Sequence, residues 1–240
     1  MHVSHRNKRR RKAALVALSL SVPLSHAHAA SAAKAMRAPI VLPGIDATAE
    51  ATIEREAQRT GLSLPVLHAA LNAYRDAAGS GLVKRAVLTV IDYSLPSRMP
   101  RLWVLDLVRG AVLAHELVAH GRGSGEDLAF RFSNAMASLQ SSLGAFVTTD
   151  TYEGHNGLSL RLQGLNPGLN DHAMARGIVM HGAQYVSEET IRALGRLGRS
   201  EGCPAVSQAA APRIIDMIRG GSVLFAYYPA PALRRIVHAE

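Results

Sequence analysis

Residues 86–119 read AVLTVIDYSLPSRMPRLWVLDLVRGAVLAHELVA, and their period decides the fold class. Ala86–Tyr93 is an apolar, β-branched run of strand length that ends at a Ser94-Leu95-Pro96-Ser97 turn. Arg101–Leu107 and Ala111–Ala119 are two further such runs, and the Val108-Arg109-Gly110 break between them predicts a hairpin. His115-Glu116 and His120 resemble a zinc-protease helix at first sight. The histidines are five apart, however, where one helix face needs four, and on a strand they point to opposite sides. The stretch is therefore β and carries no zinc motif.

Upstream the period is helical. Asp46–Arg59 predicts one helix, stopped by Thr60-Gly61. Ser63 caps a second with Pro65 in its first turn, and Leu67, Leu71, Tyr74 and Ala78 form its apolar face. Downstream, Phe130–Leu143 reads as helix or irregular chain. Ala145–Thr149 and Leu158–Leu162 read as strands around a turn at 152–157, and Gly177–His181 as another strand. Ser187 caps a short helix, Ser207 caps a helix over Gln208–Arg219, and Ser222–Tyr228 forms a last strand. Many short strands with few helices predict a mainly β fold with peripheral helices (α+β).

The ends set the domain plan. Residues 1–29 combine a basic start, the apolar run Ala13–Leu24 and a small-residue Ala27-His28-Ala29 site, the pattern of a secretory signal peptide cut before Ala30. Residues 30–81 form a small-residue linker and the helical segment, and 82–240 the main domain. The full chain carries 27 basic and 18 acidic residues, but six basic ones lie in the leader, which leaves 21 against 18, or +3. That balance, with no basic patch interleaved with aromatics, excludes nucleic acid as a partner. Contact with a membrane is expected only through an uncleaved leader.

An exported chain stapled by disulfides needs an even set of cysteines, and this one has Cys203 alone. A free thiol in an oxidising compartment calls for a chemical role. Its ordinary pKa near ~8.5 leaves little thiolate at neutral pH, so catalysis requires a base, a cation or a helix N-terminus nearby. His181 is the candidate base, Arg199 a candidate cation, and the helix capped by Ser207 a candidate dipole. The backbone N–H groups around Gly202 and Cys203 are candidate oxyanion donors. His120, beside the glycine-rich loop Gly121–Gly125, joins Arg199 and Tyr152 as a candidate substrate-cleft residue. That loop lacks the endings of a phosphate cradle, and no second cysteine or close-spaced ligand pair supports zinc, so neither cofactor nor metal is expected.

His181-Gly182, then seventeen residues, then Ser200-x-Gly202-Cys203 is similar to the signature of the YkuD-type murein L,D-transpeptidases. Collinear blocks extend the resemblance from Leu62 to Tyr228, among them LTVIDYSLPSRMPRLWVLDL, VAHGRGSG, RGIVMHGAQYVS and GRLGRSEGCPAVS. It implies a β-sandwich or barrel catalytic domain, working in the periplasm or another extracytoplasmic space on the tetrapeptide stems of peptidoglycan. It also implies Cys203 as nucleophile and His181 as general base, with Gly182, Ser200 and Gly202 around the reacting carbonyl. D-Ala would leave a donor stem, and the amine of an acceptor stem would take the acyl group to give a 3→3 cross-link. An L,D-carboxypeptidase using the same pair, and a non-catalytic wall-binding protein, are the alternatives. The sequence departs from the signature at Glu201, where relatives tend to have His, and at Ala205. A carboxylate at 201 would raise the pKa of a neighbouring thiol.

Overall fold

Two helices open the described part of the chain, α1 (Ala47–Arg59) and α2 (Leu64–Gly79). The computed structural model describes residues 47–230; the predicted leader, the linker before α1 and the last residues lie outside the described residues. Ser63 sits in extended conformation ahead of α2, and Pro65 fixes the first turn. Val66, Leu67, Ala70, Leu71, Tyr74 and Ala77 then fall on one buried stripe. These side chains join the main hydrophobic core, so α2 is an integral wall of the domain.

Eight strands follow: β1 (Val87–Asp92), β2 (Leu102–Asp106), β3 (Ala111–Glu116), β4 (Gly144–Gly154), β5 (Gly157–Gly164), β6 (Val179–Ala183), β7 (Ala205–Ser207) and β8 (Val223–Tyr227). Between β6 and β7 lies α3 (Glu188–Leu194), and between β7 and β8 lies α4 (Ala211–Ile218). The strand order in the single sheet is β3-β2-β1-β8-β4-β5-β6-β7. The two outer strands are brought together by the segment after β3. Ala119 N–H donates to Ala205 O at 2.8 Å, Arg122 N–H to Ser200 O at 2.8 Å, and Ser200 N–H to His120 O at 3.0 Å. These bonds curl the sheet into a nearly closed barrel and cover edges that would otherwise be open.

The predicted hairpin is β2–β3, antiparallel with Trp103 opposite His115. β2 is buried along its whole length, and its Trp103 Nε1 donates to Thr60 O, just beyond α1, at 3.4 Å. Each fully buried leucine or valine there contributes roughly 1.5–3 kcal/mol. Leu105→Ala would leave a cavity and cost about 2–5 kcal/mol.

Of the two states expected for residues 130–143, helix or irregular chain, the structure takes the irregular one, with Ala137 (φ 53°) and Leu139 (φ 59°) in the left-handed region. Two local predictions differ from the structure. β4 and β5 run further than predicted, leaving only a two-residue connection at His155-Asn156. The helix expected from Gln208 starts at Ala211, because Ser207 is taken into β7 and Pro212 occupies the first turn of α4. The cap predicted at Ser187 is present, with Thr190 N–H donating to Ser187 Oγ at 3.2 Å.

Candidate active site

The site begins with a parallel pair of short strands. In β6–β7, His181 stands opposite Ala205 and Gly182 opposite Val206. On its other side His181 pairs with Ser159 of β5. Cys203 precedes Ala205 by two residues, separated from it by Pro204. The imidazole thus stands midway along β6, and the thiol two residues before the start of the neighbouring strand β7. His181 is nearly buried, and its Nδ1 lies 2.9 Å from Gly182 O. A carbonyl only accepts, so Nδ1 carries the proton and Nε2 keeps a lone pair in the neutral ring.

The chain reaches Cys203 through a fixed turn. Ser200 Oγ donates to Cys203 O at 2.6 Å and accepts from Gly202 N–H at 3.1 Å. Ser141 Oγ donates to Gly202 O at 3.1 Å and accepts from Gly121 N–H at 3.0 Å. Gly202 has φ +130°, and a Cβ there would lie 2.8 Å from Gln140 O and 3.0 Å from Ile178 Cδ1. Only glycine fits.

Cys203 is partly buried, and its thiol points to Gly177 O across 3.7 Å. Burial pushes the thiol pKa up. The Val179 N–H and the Arg176 guanidinium pull against that rise, while the Glu201 carboxylate adds to it. Glu201 itself is held by Arg122, 3.0 Å away at the surface. The departure noted in the sequence at Glu201 therefore has the electrostatic sign expected of it.

The remaining predicted site residues fall in several places. The Gly202 N–H is occupied by Ser200 Oγ, so it is not a free oxyanion donor in this state. Gly182 faces α4: a Cβ there would lie 3.0 Å from Ala211 Cβ and 3.1 Å from Gln208 Cα, so its smallness serves packing. His120 is completely buried. Arg101 Nη2 donates to His120 Nδ1 at 2.7 Å, and His120 Nε2 faces Gly125 O at 3.4 Å. Burial, with Arg101 alongside, pulls the His120 pKa down to about 3. Arg199 is drawn to Glu126 at 2.6 Å and to Gly125 O at 3.1 Å, which removes it as the thiol's cation. The helix after the thiol is also displaced, since β7 intervenes before α4. Tyr152 lies in the same cross-strand row as Ser159 and His181, with the Arg161 guanidinium 4.2 Å over its ring.

Sequence reasoning missed Arg176, the cation that acts on the thiol, and the Ser141 hydroxyl that holds Gly202. Neither carries a motif; each is recruited by the path of residues 133–142. Among the described residues, no group of three or more His, Cys, Asp or Glu side chains is placed to hold a metal ion.

Comparison with known proteins bears on this geometry. Curated protein sequences give no match. Among solved structures the chain is similar to an L,D-transpeptidase from Mycobacterium smegmatis, at 16% identity and TM-score 0.37, covering 60% of this chain and 59% of that one. It is also similar to an L,D-transpeptidase from Stackebrandtia nassauensis (16% identity, TM-score 0.38, 75% of this chain and 78% of that one). A third is the helical cell shape determining protein Pgp2 from Campylobacter jejuni, at 10% identity, TM-score 0.40, and 69% and 60% coverage. The chain thus spans less than two thirds of the length of the first of these, 59%. The family model of the L,D-transpeptidase catalytic domain matches residues 57–227, a span that runs from the end of α1 through His181 and Cys203 to the end of β8. The chain belongs to the L,D-transpeptidase catalytic domain family.

Proposed function

We propose that this chain is a cysteine-dependent L,D-transpeptidase acting on the stem peptides of peptidoglycan in an extracytoplasmic compartment, with Cys203 as nucleophile and His181 as general base. The observation that carries the reading is the β6–β7 register: it sets a histidine with a free Nε2 lone pair on the strand next to the chain's one thiol. A base held in this way is worth ~10²–10⁴ in rate.

At rest the thiol keeps its proton, since burial raises its pKa. On substrate binding, that proton passes to His181 Nε2 as Sγ attacks the carbonyl between the diaminopimelate L-centre and the terminal D-Ala. The carbonyl π pair moves onto oxygen. Collapse of the tetrahedral intermediate breaks the C–N bond, and imidazolium returns the proton to the departing D-Ala amine. A thioester on Cys203 remains. The side-chain amine of an acceptor stem then attacks it, loses its proton to His181, and restores the thiol as the new amide forms. Water in place of that amine would give a tripeptide, the carboxypeptidase outcome.

Purified tetrapeptide muropeptides distinguish these outcomes. Cross-linked dimers with release of D-Ala support transfer. Tripeptides alone support hydrolysis by the same pair, and no product from the folded protein contradicts both.

A further inference from the structure

We propose that Arg176 is the positioning residue of the nucleophile: its guanidinium fastens residues 133–142 against the cysteine turn and supplies the positive charge that a Cys203 thiolate faces. This rests on the reading of Cys203 as the nucleophile.

Arg176 stands in the turn before β6, next to Gly177, whose carbonyl receives the resting thiol. Its Nη1 donates to Ser133 O at 2.7 Å and Ser142 Oγ at 2.5 Å. Its Nη2 donates to Ser138 Oγ at 3.0 Å and Gln140 O at 2.6 Å. Every one of these acceptors is neutral. Among the described residues no carboxylate forms an ion pair with Arg176. A partly buried guanidinium without a counter-ion is costly unless an anion forms beside it. Its hydrogen bonds also leave no Nη proton for a substrate carboxylate, which argues for a clamp and a fixed charge over a substrate-binding group.

A Cβ on Gly202, the residue before the nucleophile, would lie 3.3 Å from Arg176 Nη2. The clamped segment presses on the same turn, with Gln140 O against Gly202 and Leu139 O against Gly121. It contains both non-glycine residues that lie in the left-handed region among the described residues, Ala137 and Leu139, a conformation that persists only where surrounding bonds impose it. The bonds from Arg176 to Ser133, Ser138, Gln140 and Ser142 span both of them.

The other titratable groups around the thiol leave this role open. Glu201 carries the wrong sign, and Tyr185 and Tyr93 are neutral phenols whose pKa values burial pushes up to about 12. His181 is the proton acceptor of the proposed reaction. Arg122 faces Glu201, and Arg199 faces Glu126. Arg176 is the permanent cation whose charge acts on Cys203.

The test is the pH dependence of iodoacetamide alkylation in the full chain, where Cys203 is the one cysteine and the signal belongs to it. Arg176→Gln should raise the alkylation midpoint by about one pH unit and slow labelling at neutral pH by about tenfold. Arg176→Lys should stay near the wild-type midpoint while lowering turnover, because an ammonium keeps the charge but not the planar fork. An unchanged midpoint in folded Arg176→Gln overturns the assignment. Should that variant not fold, Arg176→Lys carries the test: turnover as high as wild type, or a midpoint a full pH unit higher, overturns the assignment equally. No peptidoglycan enters the alkylation assay, so a shifted midpoint in a protein that makes neither dimers nor tripeptides refutes the proposed function and not the role of Arg176.

Discussion

Ser200 Oγ donates a 2.6 Å hydrogen bond to the carbonyl of Cys203, and the same oxygen accepts the Gly202 N–H. One hydroxyl therefore fixes the backbone on both sides of the bond that joins glycine to the nucleophile. Ser200→Ala would orphan both groups in a nearly buried turn and should cost about 1–3 kcal/mol. Ser200→Thr should recover most of it. Denaturant titration with muropeptide turnover checks this: an alanine variant as stable and as active as wild type would mean that the turn is held by other contacts.

Gly202 offers a sharper steric test. Its φ of +130° and the 2.8 Å approach of Gln140 O leave no room for a methyl group. Gly202→Ala should distort the turn, destabilise the fold by about 1–3 kcal/mol and depress turnover more than stability. A thermal melt and a rate measurement on one preparation decide it, and wild-type turnover would exclude a strained nucleophile turn.

Acid stability should depend on His120. Its folded pKa is pulled down to about 3, below the unfolded value of about 6.5, by burial beside Arg101. Its contribution is fully present above about pH 6.5 and is lost as pH falls toward 3, because the unfolded chain binds the proton first. The slope approaches about 1.4 kcal/mol per pH unit between those limits. His120→Gln should flatten the stability curve between pH 6.5 and 4 in denaturant titrations. Parallel curves for variant and wild type would remove His120 as the responsible group.

Much of the frame is legible in the sequence, because α2, the β2–β3 hairpin and the Ser187 cap depend on neighbours within a few residues. What escaped depends on distant partners. β7 is three residues long and exists through its parallel pairing with β6 and a bridge from Ala119 to Ala205, neither of them a neighbour in sequence. That pairing draws Ser207 out of the predicted helix. His120 lies beside a glycine-rich loop, which suggests a cleft, but the segment folds inward and Arg101 covers it. Cys203 and His181 could be singled out by residue type and spacing. Arg176 could not, since an arginine before a strand has no signature until residues 133–142 are laid across it.

Removing either member of the pair should have unequal effects. Cys203→Ser should fold and lose turnover altogether, because a serine hydroxyl is a far weaker nucleophile beside the same base. His181→Ala should lose ~10²–10⁴ in rate and retain a trace. Chelators should leave the wild-type rate unchanged. A rate that falls with chelator and returns with zinc would contradict the thiol mechanism.

The most direct test is an intact mass spectrum of the protein after incubation with a stem tetrapeptide or a carbapenem, whose strained amide acylates a reactive thiolate. The account predicts a covalent adduct mapped by peptide digestion to Cys203, slower to form in His181→Ala and missing in Cys203→Ser. An adduct mapped elsewhere, or none on folded wild-type protein with either reagent, would contradict it.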